Sequence, residues 1–315
     1  MVKSLPNKCY EDIIGLSYAI VKGGGDTLCH QLVRLFQLSL STHSLPSDRK
    51  KSIIHPIKKK SNNSMISNFR PISISSCICR ILERIIRDAI QSFLDANLLM
   101  NASQQGFSRG RSTLTALLTY SNDICNAIDK GLCVDSAYFD FSKAFDCVRY
   151  DYLVYKLSKI GINGPILKWI INYLKGRTQV VNVNGEYSTE RSVASGVIQG
   201  SVLGPILFSV FVNDLDEHIV SCKLLKCADD IRIYRCFEPN VLHKATNVVV
   251  FQNDMDAFAV WSKKWDLNFN LAICCVLYFG NANPYIKLAN SRSRIVPKKE
   301  ILVCCFQISL ISMTL

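Results

Sequence analysis

Apolar residues recur along the chain in two alternating rhythms. In some stretches they return every three to four positions, the period of a helix face. In others they return every second position, the period of a strand. Residues 26–42, with Leu28, Leu32, Leu35, Phe36 and Leu40 at helical spacing, predict a helix. SIIHPIKK (52–59) alternates and contains Pro56, which predicts an edge strand because Pro cannot donate to a ladder. Residues 75–97 predict a helix that gathers Arg80, Glu83, Arg84, Arg87 and Asp88 on a charged face, and 112–130 predicts another, started by Ser112 as N-cap.

The strand rhythm returns at 134–141 and ends in an acid. Helical spacing over 141–161 stops at Gly161; Pro165 opens a further helix that Gly176 closes. Residues 177–193 alternate on both sides of Asn184-Gly185 and predict a hairpin. An apolar helix is expected over 200–217, then two short strands hinged on Asp229-Asp230 in KLLKCADDIRIYR (223–235). A helix over 245–266 ending at Trp261 and Trp265, and a last strand over 272–280, complete the pattern. Strands separated by helices, with acids at strand ends, predict an α+β sheet with helices layered on one face.

Composition narrows the class. A chain of 315 residues that is 49% hydrophobic and 20% charged buries a large core or two to three lobes. The 37 Lys and Arg exceed the 25 Asp and Glu, leaving +12. That balance suits a polyanion partner and equally suits a generic basic protein. The 14 cysteines include adjacent pairs but no C-x-x-C, so no zinc site is expected and the thiols read as reduced, mostly buried small hydrophobes. The opening MVKSLPNKCYED holds no apolar secretory segment, and the longest apolar runs, Leu203–Val212 and Ile301–Ile311, are too short to span a bilayer. No membrane role is expected.

Candidate chemistry lies in three places. Asp140 ends one strand, and Asp229 with Asp230 forms the tip of a hairpin. If the strands are neighbours, the three carboxylates converge into an oxygen site for two hard divalent cations, suited to in-line displacement at phosphorus. If they are not, these are two solvated turns. Between them lies SGVIQGSVLGP (195–205), whose glycines flank Gln199 just before a helix and allow close backbone approach to a ligand, or merely punctuate a loop.

Taken together the segments resemble reverse transcriptases of non-LTR (LINE-type) retrotransposons. FDFSKAFDCV (139–148) resembles motif A of that family, SGVIQGSVLGPILFSVFVNDL (195–215) motif B, and CADD (227–230) motif C, usually YADD. Upstream, HPIKKKSNNSMISNFRPISI (55–74) resembles the fingers segment, and Gln105-Gly106-Phe107 with Gly110-Arg111-Ser112 the block after it. Five motifs in order, over residues 5 to 280 or so, make the signal specific.

The resemblance implies a right-hand polymerase with fingers and an antiparallel palm sheet packed on helices. The division is 1–133 for the fingers with the basic patch, 134–280 for the palm, and 281–315 for a degenerate tail. It implies RNA-directed DNA polymerase activity on an RNA template, a DNA primer and dNTPs. Asp140 and Asp229 would hold two Mg²⁺ ions, or Mn²⁺ in their place, supported by Asp230. Arg70 would meet the triphosphate with a planar donor fork, or is an ordinary surface Arg. Phe145 would exclude a ribose 2′-OH, or is core. Gln199 and Gly200 would line the nucleotide and template. Lys58, Lys59 and Lys60 would track phosphates, or are a solvated charge run. Action in the nucleus and in a cytoplasmic ribonucleoprotein is implied by the family; no targeting signal is seen.

The departures are specific. Cys227 stands where the family has an aromatic residue, which removes packing but no metal ligand. Ile273 stands where the family has a Lys thought to protonate pyrophosphate, and Ile cannot donate a proton. The tail after Pro297 lacks the family's DLGV-type segment; one codon choice for Glu300–Phe306, read from its third base, encodes Asp-Leu-Gly-Val-Leu-Phe. A frameshift before about Glu300, with most of the thumb lost, is therefore expected, the alternative being an in-frame, short C-terminal strand; a copy without an endonuclease domain is expected as well. The rival reading is an inactive remnant that only binds nucleic acid.

Overall fold

The structure is a computed structural model. It describes residues 11–12, 15–59, 65–239 and 241–280, with isolated positions 2 and 5 and the backbone pairs 287–288 and 291–292; apart from those two pairs the degenerate tail, and with it the frameshift expectation, lies outside the described residues. In chain order the elements are α1 (Tyr18–Gly23), α2 (Gly25–Thr42), β1 (Lys51–Lys58), β2 (Phe69–Ile74), α3 (Cys77–Ala96), α4 (Thr113–Asp129) and β3 (Cys133–Phe139). They continue with α5 (Ala144–Cys147), α6 (Tyr150–Lys159), α7 (Gly164–Leu174), β4 (Arg177–Val183), β5 (Glu186–Tyr187), β6 (Arg191–Val193) and α8 (Gly204–Phe211). Last come β7 (Lys223–Cys227), β8 (Asp230–Phe237), α9 (Val241–Lys264) and β9 (Cys275–Phe279). They form two compact units, residues 1–99 with 145–208, and residues 100–144 with 209–315. Each unit is assembled from two separate stretches of chain.

The first unit is organised on a sheet of order β2-β1-β4-β5, with β6 also paired to β4. The strand with Pro56 is therefore internal, not an edge. The ladder tolerates the missing N–H because β1 pairs with β4 only over Lys51–Ile54, while Pro56 lies further on, opposite Pro71 of β2. At the hairpin, Asn184 and Gly185 take φ of 53° and 92°, the left-handed pair of a type I′ turn. Its return strand is split into β5 and β6 where Ser188 exchanges bonds with Val181: the Ser188 N–H donates to the Val181 carbonyl at 2.9 Å, and the Val181 N–H to Ser188 Oγ at 2.9 Å.

The helix expected over 141–161 breaks into α5 and α6. The carbonyls of Phe145 and Val148, which would continue the helix ladder, accept instead from the N–H groups of Val197 and Gly196, each at 2.8 Å. Arg149 is consequently extended. The apolar helix expected over 200–217 shortens to α8 plus a 3-10 turn at Asn213–Glu217. Glu83 is not on the charged face of α3: it is completely buried, on the same helix as the buried Cys79, Ile86 and Ile90.

The second unit is an antiparallel sheet of order β7-β8-β3-β9. Helices cover both of its faces, not one. Val134, Ser136 and Tyr138 look toward α4, where Tyr120 meets Ser136 and Tyr138, while Asp135 and Phe139 look toward α9. Period-two alternation sends successive side chains to opposite faces, so β3 is buried almost throughout. Ser112 caps α4 as expected, in a reciprocal box with Thr115.

Candidate active site

Three carboxylate positions lie at one end of the antiparallel sheet. The β3–β8 register sets Phe139 opposite Ile231. Asp140 follows Phe139, and Asp230, the first residue of β8, precedes Ile231. Asp140 and Asp230 thus stand at the same end of adjacent strands. Asp229 sits in the two-residue turn closed by the Cys227–Asp230 pair, with Ala228 in the left-handed region at φ 59°. The hinge is Ala228-Asp229, one residue earlier than the sequence pattern placed it.

Asp140 is half-buried and held from the side. Its carbonyl accepts from the Asn270 N–H at 2.8 Å, and Asn270 Nδ2 donates to Asp140 Oδ2 at 3.2 Å. The Cys274 thiol reaches the same carbonyl at 3.8 Å. Behind the strand end lies an aromatic cluster. Phe139 packs edge-on to Phe258 at 4.8 Å, and Phe141 stacks on Phe269 at 5.6 Å and 11°. These rings pack around the strand end that carries Asp140.

The turn carrying Asp229 is braced on its open side, a feature invisible to local sequence patterns. Residues 103–105 lie along the edge of β7. The Gln105 N–H donates to the Lys226 carbonyl at 2.7 Å, and the Lys226 N–H to the Ser103 carbonyl at 2.9 Å. Next in line, Gly106 presses on the turn: a Cβ there would meet Ala228 N at 2.5 Å and Cys227 C at 3.0 Å. The Lys226 side chain, wholly buried, donates to the carbonyls of Val212 and Asn213 and pairs with Asp216. Burial lowers the Lys226 pKa, and the Asp216 carboxylate opposes that shift. Cys227 is half-buried; burial and then Asp230 push its thiol up to about 11, so it is protonated at neutral pH.

The donor set is all carboxylate oxygen at one sheet end, which fits a hard divalent cation. Among the described residues no three His, Cys, Asp or Glu side chains close into a metal-binding group.

The other candidates lie in the first unit. Arg70, on β2 opposite Ile57, is half-buried; Lys58 and Lys59 are exposed at the same end of the β1–β2 pair, and the Lys59 N–H donates to the Asn68 carbonyl at 2.7 Å. Lys60 lies outside the described residues. The half-buried Phe145 ring stacks on Phe208 of α8 at 4.6 Å and 14°. Gln199 and Gly200 sit in a loop with little freedom. The Gln199 carbonyl accepts from the Ser73 N–H at 2.8 Å; a Cβ on Gly200 would meet the Ser73 carbonyl at 2.8 Å, and one on Gly196 would meet Asp146 Cα at 2.8 Å. Beside the loop is a cavity of about 220 Å³ whose lining includes Ser73, Asp146, Arg177 and Gln199.

No helix among the described residues is long and apolar enough to cross a membrane. The family model described as "Reverse transcriptase (RNA-dependent DNA polymerase)" matches residues 57–298. The chain is similar to the probable RNA-directed DNA polymerase from transposon BS of Drosophila melanogaster, at 29% identity over 85% of this chain and 30% of that protein. It is similar to the RNA-directed DNA polymerase from mobile element jockey of Drosophila funebris, at 28% identity over 80% of this chain and 28% of that protein. The chain thus spans about a third of the length of these curated relatives. Among solved structures, the apo telomerase from Candida tropicalis truncated from the C-terminal domain aligns at a TM-score of 0.50 and 14% identity, over 84% of this chain and 57% of that one, which shows the fold. The resemblance carried by the ordered motifs is thus borne out: the chain belongs to the reverse transcriptase (RNA-dependent DNA polymerase) family.

Proposed function

We propose that this chain is the polymerising core of a non-LTR retrotransposon reverse transcriptase. It copies an RNA template by joining dNMP to the 3′-OH of a DNA primer, with β1, β2 and the segments around them as fingers and the antiparallel sheet as palm. The observation that carries this reading is the register that sets Asp140 beside the Asp229-Asp230 turn. Asp140 and Asp229 would hold two Mg²⁺ ions, with Asp230 in support. When bound, the ions supply Lewis-acid neutralisation of charge at the reacting phosphate.

The protein's own groups would position the reactants. Arg70 would fork onto the triphosphate. The Phe145 ring would crowd a ribose 2′-OH, and Gln199 and Gly200 would border the nucleotide and template. Lys58 and Lys59 would follow the phosphate backbone. Such an element would act in the nucleus and travel in a cytoplasmic ribonucleoprotein.

Ile273 and Cys227 favour a second reading, in which the site is inactive and only nucleic-acid binding remains. Ile273 is 57% exposed on the turn before β9 and offers no proton. Primer extension on an RNA template with Mg²⁺ and dNTPs, run beside the Asp229→Ala variant, separates the two. Extension by the parent chain that Asp229→Ala abolishes is the expected result. A folded parent that binds RNA in a salt-dependent way but never extends the primer establishes the second reading instead.

A further inference from the structure

Glu83 occupies an unusual place for a carboxylate. It is fully buried in α3, yet it reaches across 119 residues of sequence, where Glu83 Oε2 accepts from the Val202 N–H at 2.7 Å and from the Leu203 N–H at 3.2 Å. These are the last two residues before α8. Glu83 Oε1 accepts from the Cys79 thiol at 3.6 Å. Burial raises the Glu83 pKa; the two N–H bonds and the guanidinium groups of Arg177 and Arg80 oppose that shift. A buried charge is weak evidence for net stability, so its use is better sought in what it holds in place.

What it holds is a rigid path to the candidate nucleotide site. Ser201 Oγ accepts from the Gly204 N–H at 2.8 Å, and a Cβ on Gly204 would meet the Ile198 carbonyl at 2.6 Å, so loop and helix start move as one piece. Four residues further along α8, the Phe208 ring stacks on Phe145. The Phe145 carbonyl in turn accepts from the Val197 N–H of the same loop.

We propose that Glu83 is a positioning residue for sugar selection. By anchoring Val202 and Leu203 it sets α8, and through Phe208 it sets the ring of Phe145, while touching no nucleotide itself. This rests on the polymerase reading and on Phe145 facing the sugar. Its distinctive consequence is that an acceptor oxygen inside α3 controls the preference for dNTP over rNTP.

The test measures kcat and KM for one dNTP and its rNTP in primer extension, with melting temperature and far-UV circular dichroism recorded for each variant. Glu83→Leu fills the space without an acceptor and is expected to lower the dNTP preference roughly tenfold, because small displacements of positioning groups carry large rate effects. Glu83→Gln keeps an oxygen for both N–H groups and is expected to restore the preference to within about threefold. Phe208→Leu, which removes the stack without touching Glu83, is expected to lose the preference as well, and serves if Glu83→Leu does not fold. Adding Glu83→Leu to Phe145→Val should cause no further loss, since both act on one ring.

A folded Glu83→Leu with parental selectivity, or equal losses for dNTP and rNTP at unchanged ratio, overturns the proposal. If the parent chain does not polymerise at all, the polymerase reading fails. Amide exchange then decides the anchoring itself: faster exchange at Val202 and Leu203 in Glu83→Leu supports it, and unchanged protection overturns it.

Discussion

Gly106 shows how much one hydrogen can decide. Its backbone lies so close to the Ala228 turn that a methyl group would meet main-chain atoms, which cannot swing aside as a side-chain tip can. Gly106→Ala is therefore expected to leave the fold intact but shift the turn that carries Asp229, lowering primer extension about tenfold or more. Circular dichroism and the extension rate, measured together, check this; an unchanged rate would mean the turn yields freely. Ile273 allows the opposite experiment. Because it is exposed, Ile273→Lys should be accepted without structural cost. If leaving-group protonation is what this chain lacks, the variant should extend faster by roughly 10²–10⁴. The two Asp motifs were legible in the sequence because each is a local pattern of acid and apolar residues. Gly106 sits in a segment singled out only by resemblance, since its neighbour Ala228 is far away in the chain.

Helices and strands were legible in the same local way, and their partners were not. β3 reads as an ordinary alternating strand, yet α4 and α9 close over opposite faces and leave Asp135 buried. Asn247 Nδ2 donates to Asp135 Oδ2 at 2.8 Å, while Asp135 Oδ1 and Asn247 Oδ1 are both buried without a partner among the described residues. Burial raises the Asp135 pKa from 3.8 to about 7, against the Asn247 bond that lowers it. The folded state therefore holds a proton that the unfolded chain releases near pH 4. The stabilisation from this group is full below about pH 4 and is lost as pH rises through 7. Urea midpoints should accordingly fall over that interval, and Asp135→Asn should flatten the decline. In the first unit, Trp169 of α7 is wholly buried, stacks on Tyr173 and donates from Nε1 to Ser39 Oγ of α2 at 3.0 Å. Trp169→Ala is expected to cost about 3–5 kcal/mol in denaturant unfolding. The hydrophobic rhythm of α2 and α7 announced two amphipathic helices without announcing this contact.

For the whole molecule, charge is the property that needs no tertiary structure. With a net charge of +12, binding to single-stranded RNA should weaken linearly in log Kd against log salt. Replacing the exposed Lys58 and Lys59 by Ala should reduce that slope by about one for each phosphate that is no longer neutralised. A slope that does not change would assign those lysines to a solvated face. What the sequence determined by itself was the order of the motifs, most element positions and the acids expected to carry the chemistry. These follow from side-chain period, turn residues and caps, which act over a few positions. Only the tertiary structure decided that β1 lies inside its sheet, that α5 and α6 part where a distant loop takes the carbonyls of Phe145 and Val148, and that Glu83 is a buried anchor. Those outcomes depend on hydrogen bonds and close backbone approaches between residues far apart in the chain, whose energy exists only once the chain has folded.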